Sequence, residues 1–105
     1  MTHPYQSACL DWCGIAIEVC YCPSWSESYE EIYGYPLAHL TVEAVTPANV
    51  PLPISETGYR SYFTRPDLIE AEGGPVAFVR AWLDHEAQSD EWKQQQEKSR
   101  QLTLF

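Results

Sequence analysis

Two stretches of this chain alternate between apolar and polar side chains with a period of two, and that pattern constrains the fold more than any other feature. In GIAIEVCYC, residues 14–22, Ile15, Ile17, Val19 and Tyr21 fall on one face, and Ala16, Glu18, Cys20 and Cys22 on the other. Successive strand residues point to opposite sides of a sheet, so this reads as a strand with one strongly apolar face. Pro23 ends it. LAHLTVEAV, residues 37–45, alternates again, with Leu40, Val42 and Ala44 opposite His39, Thr41, Glu43 and Val45. This is a second strand, expected to run antiparallel to the first. Between them, SESYEEIYG has the signals of a short helical turn: Ser28 as cap, Glu31 three residues on as its capping-box partner, and Gly34 for the C-terminal end.

Residues 46–58, TPANVPLPISETG, hold Pro47, Pro51 and Pro53. Proline fixes φ and lacks an amide donor, so the segment reads as an ordered, irregular crossing. GYRSYFT then gives a third short strand, with Tyr59, Ser61 and Phe63 opposite Arg60, Tyr62 and Thr64, and Arg65-Pro66 is expected to close it. Gly73-Gly74-Pro75 introduces the clearest helix, because proline fits a first helical turn without losing a hydrogen bond. Val76, Val79, Trp82, Leu83 and Glu86 follow helical spacing there, with Phe78 beside them. Ser89 reads as the N-cap of a last, polar helix whose only large apolar residue before the tail is Trp92. The expected fold class is α+β: a small antiparallel sheet of about three strands packed by one amphipathic helix. Residues 1–88 form the domain, 89–100 a polar C-terminal helix and 101–105 an extended tail.

The charge is lopsided. Fifteen acids against six bases give −9, and Arg60 is the first base in the chain. Such a surface repels phosphate backbones, which argues against direct contact with nucleic acid. No apolar run is long enough to cross a bilayer, and the opening MTHPYQSACLDW lacks a basic start and an apolar core, so a cytoplasmic location is expected.

Chemistry-bearing residues are sparse. Cys9 and Cys13 would share a face of a helix, and Cys20 and Cys22 share a strand face, so four thiolates converging on zinc is a reading to weigh. The spacing lacks the paired C-x2-C knuckles of common zinc sites, and reduced, partly buried cysteines are the default. His3, His39 and His85 are scattered, and there is no nucleophile elbow or phosphate-cradling glycine loop. The expectation is a protein without enzymatic activity or cofactor. In the body, Glu56, Thr57, Tyr59 and Arg60 form a second surface site after the proline-rich crossing; the plainer alternative has Gly58 turning the chain, Arg60 paired with an acid, and Tyr59 and Phe63 packed. Trp92 or an uncovered edge strand could each build a homodimer.

The chain finishes QLTLF, with Gln101, Leu102, Leu104 and Phe105 following the almost wholly polar EWKQQQEKSR. A terminal segment is usually polar and frayed unless it is tied down. An extended apolar peptide on a polar leash is what a groove-docking motif needs; the alternative is an edge strand added to the protein's own sheet. QLTLF resembles the peptide by which bacterial replication and repair proteins dock on the DNA sliding clamp, Gln-Leu-Ser/Asp-Leu-Phe, with Thr103 at the variable position. The resemblance implies that Gln101 binds a small polar pocket while Leu104 and Phe105 fill an apolar cleft. PLPISETGYRSYF and AWLDHEAQSDEW also look like segments of small uncharacterised proteins encoded on plasmids and prophages. The expected function is therefore an adaptor or regulator from a mobile element that binds the sliding clamp. The alternative is an acidic nucleic-acid mimic inhibiting a host DNA-binding defence enzyme.

Overall fold

The computed structural model describes residues 5–102. Among them, four strands and four helices run in the order β1 (Gln6–Trp12), β2 (Ile15–Cys22), α1 (Glu27–Tyr33), β3 (Ala38–Thr46), β4 (Tyr59–Thr64), α2 (Pro66–Ala71), α3 (Pro75–Glu86) and α4 (Asp90–Leu102). The strands make one antiparallel sheet in chain order, so the fold is α+β with one strand more than expected.

The added strand is β1, which corrects the helical reading of Cys9 and Cys13. Leu10 and Trp12 alternate inward and are buried, while Cys9 and Asp11 face out. Cys13 and Gly14, with φ of 50° and 81°, then form a two-residue turn into β2. Two consecutive left-handed residues match the twist of a tight hairpin.

Helix α1 begins earlier than its sequence signals imply. Ser26, not Ser28, is the N-cap: it is extended, and its Oγ accepts from Tyr29 N at 3.2 Å. Ser28 lies within the first turn. Gly34 ends the helix with φ 78°, donating its N–H to Glu30 O at 2.8 Å. Pro66 likewise opens α2 instead of merely closing β4, because a proline at the first helical position sacrifices no internal bond.

The core lies on one face of the sheet. Leu10, Ile17, Val19, Leu40 and Val42 point into it, and Ile69 of α2 with Val79 and Leu83 of α3 cover them. Leu52 and Ile54 from the proline-rich crossing are buried against the same cluster. Helix α3 packs on β1, β2 and α2. Helix α4 joins this layer through Trp92, half-buried with its ring 6.3 Å from that of Trp12. Burying each large aliphatic chain contributes about 1.5–3 kcal/mol, so this single layer of helix on sheet supplies most of the stability. Among the described residues, no helix layer covers the other face of the sheet. Among the described residues, no helix is long and apolar enough to cross a membrane.

Candidate functional site

Strand register arranges the uncovered face in rows. Cys22, His39 and Phe63 lie side by side across β2, β3 and β4. Ser7, Cys20, Thr41 and Ser61 form the next row, small and hydroxylated or thiol-bearing. Cys9, Glu18, Glu43 and Tyr59 form the third. The face therefore has an aromatic end, a low floor and a carboxylate end.

His39 organises the aromatic end. Its ring stacks on Phe63 at 4.4 Å and 16°. Trp25, from the segment before α1, meets Phe63 edge-on at 5.0 Å, and Tyr5 meets His39 edge-on at 5.8 Å. The two imidazole nitrogens are held by hydroxyls, Nδ1 at 2.6 Å from Tyr5 Oη and Nε2 at 2.7 Å from Ser61 Oγ. A hydroxyl both donates and accepts, so these two bonds fix the plane of the ring whichever nitrogen carries the proton. Burial lowers the His39 pKa from its ordinary 6.5, which favours the neutral ring. Burial, followed by the nearby Cys22 and Cys20 thiols, raises the Tyr5 phenol.

The cluster is ordered yet open to solvent: Tyr5, Trp25 and Phe63 keep 45%, 42% and 44% of their surface. Ser61 and His39 are at the distance of a nucleophile and its base, but Ser61 sits in mid-strand and not on a strand-to-helix elbow. What the arrangement builds is a rigid aromatic platform.

At the other end, Glu18 and Glu43 are direct cross-strand neighbours. Like charges placed opposite one another destabilise a sheet. Glu18 accepts only a weak thiol contact, from Cys20 Sγ at 3.6 Å, and the one ion pair among the described residues is Arg65 with Asp67.

The residues singled out from sequence are dispersed. Glu56, Tyr59 and Arg60 line a groove of about 750 Å³ between the proline-rich crossing and α4, with Trp92 on the opposite wall; Thr57 stands aside, bonded to Ser55. Arg60 pairs with no acid there. Its guanidinium donates to Ile54 O at 3.5 Å and lies 5.6 Å from the centre of the Trp82 ring. Cys9 and Cys13 are exposed, Cys20 half-buried and Cys22 buried, all as free thiols. Among the described residues, no three His, Cys, Asp or Glu side chains gather as a metal site. The backbone of Gln101 and Leu102 forms the end of α4, where an extended tail was expected; Leu104 and Phe105 lie outside the described residues. The platform of Tyr5, Trp25, His39 and Phe63 is what sequence reasoning missed. Its available signal was the aromatic and histidine residues on the polar side of alternating strands.

No curated protein and no solved structure matches the chain. One family model does, over residues 5–92, which takes in the whole sheet, α1 to α3 and the start of α4. The protein that builds this one-sided sheet belongs to the KlcB third domain family.

Proposed function

We propose that this protein is a non-enzymatic adaptor or regulator that docks on the bacterial DNA sliding clamp through Gln101, Leu102, Leu104 and Phe105. Its KlcB family membership points to a plasmid-associated protein, in keeping with a mobile-element origin. The observation that carries the reading is the match of four side chains, in order, to the clamp-docking peptide.

The route to that peptide supports it. Helix α4 is anchored by Trp92 on Trp12, and the ten residues from there to Leu102 rise about 15 Å along a polar helix. The molecule is long for its size, 56 Å against 25 and 21 Å. A docking peptide at the end of such an arm reaches a groove without bringing the body into collision with the clamp. Binding in extended form requires Gln101 and Leu102 to leave the last helical turn, which is a low-cost opening because helix ends fray. A peptide of this size binds at roughly micromolar affinity, on the order of −8 kcal/mol.

The test is competition. The protein displaces a fluorescent clamp-binding peptide from a purified bacterial clamp, and the Leu104→Ala/Phe105→Ala variant does not. Equal displacement by both proteins contradicts the reading.

A further inference from the structure

We infer that the uncovered sheet face is a docking surface for an extended, cationic protein segment that carries an aromatic or arginine side chain. The inference is independent of the tail and concerns a different part of the molecule.

Three observations carry it. Tyr5, Trp25, His39 and Phe63 form an apolar platform that is exposed yet fixed by stacking and by hydroxyl bonds to both imidazole nitrogens. Rigid aromatics of this kind anchor partners because little side-chain entropy remains to be lost. Glu18 and Glu43 face the same way, side by side, and no base among the described residues pairs with either. The fold tolerates a repulsive pair here, and a cation laid between the two carboxylates would relieve it.

The spacing completes the argument. His39 and Glu43 are four residues apart on β3, which is about 13–14 Å along a strand. An extended segment of four or five residues spans that distance, crossing the low floor of Ser7, Cys20, Thr41 and Ser61. One end would stack on the platform, where arginine also stacks well, while the other places a lysine or arginine between the carboxylates. A nucleic-acid mimic would spread its charges along a groove. Here the central carboxylates sit in one row beside aromatics, which favours a peptide.

The probe is a fluorescein-labelled peptide, Arg-Trp-Ser-Gly-Arg-Lys, read by polarisation against the full chain. The same charges without the tryptophan, and a Glu-for-Arg/Lys peptide, serve as controls. The expected result is saturable binding that weakens at least tenfold in Glu18→Gln/Glu43→Gln and in Trp25→Ala, and is unchanged in Leu104→Ala/Phe105→Ala. Amide shifts on binding should centre on His39, Thr41, Glu43 and Ser61. Removing the like-charge pair should hold or raise the melting temperature, so lost binding in that variant is not lost folding. Absence of saturable binding overturns the inference. So does binding kept within twofold by the double Gln variant, or shifts spread over the acids of α1 and α4, since either means diffuse charge attraction.

Discussion

The indole Nε1 of Trp12 donates a hydrogen bond to Asp84 Oδ1 at 2.8 Å, joining the first strand to α3 across most of the chain. Trp12 is buried and also meets Trp92, so one side chain ties together the sheet, α3 and α4. Replacing Asp84 with alanine strands the indole N–H at the edge of the core and should cost about 1–3 kcal/mol in urea unfolding, with asparagine restoring most of it. A loss under about 0.5 kcal/mol would mean that water substitutes for the carboxylate.

Gly58 sets the entry to β4. Its φ is +78°, and a Cβ there would come 2.6 Å from Val50 O and 3.1 Å from Asn49 C. Both contacts are backbone, so neither can rotate away. Gly58→Ala should therefore lose more than about 2 kcal/mol, well beyond the usual penalty for a left-handed alanine. Thermal unfolding of the variant checks this, and a melting temperature within a degree of the parent would show that the crossing can shift.

His39 should make stability depend on pH. Its folded pKa lies below the unfolded 6.5, so between the two values the unfolded chain holds more protons and stability rises with pH. Stability is complete above 6.5 and falls as acid protonates a half-buried ring flanked by Tyr5, Ser61, Phe63 and Trp25, with Cys22 in the neighbouring register position. Denaturation midpoints should decline from pH 7 towards 5.5, above the usual carboxylate range, and His39→Gln should flatten that slope. An identical slope in both proteins would assign the effect to other groups.

The strands β2 and β3, the helix α3 and the cap at Ser89 were legible because each depends on local periodicity or on one polar side chain. Trp92 N donates to Ser89 Oγ at 3.2 Å, as the N-cap signal implies. The strand β1 escaped because Cys9 and Cys13 fit a helical spacing as well as Leu10 and Trp12 fit a strand one, and seven residues are too few to decide. Pro66 was ambiguous for another reason, since the same residue can stop a strand and begin a helix. The aromatic platform depends on which residues of β3 and β4 lie beside each other, and on where the segments leading into β1 and α1 place Tyr5 and Trp25. Register is a property of the assembled sheet, and no local pattern in Tyr5, His39 or Ser61 specifies it.

The most direct test of the proposed function is a calorimetric titration of the full chain into a bacterial sliding clamp, beside a version lacking residues 101–105. Binding at roughly micromolar strength is expected, disappearing with the truncation while the melting temperature stays unchanged. No heat from the full chain, together with a lower melting temperature for the truncated one, would mean that Leu104 and Phe105 belong to the fold and would contradict the clamp reading.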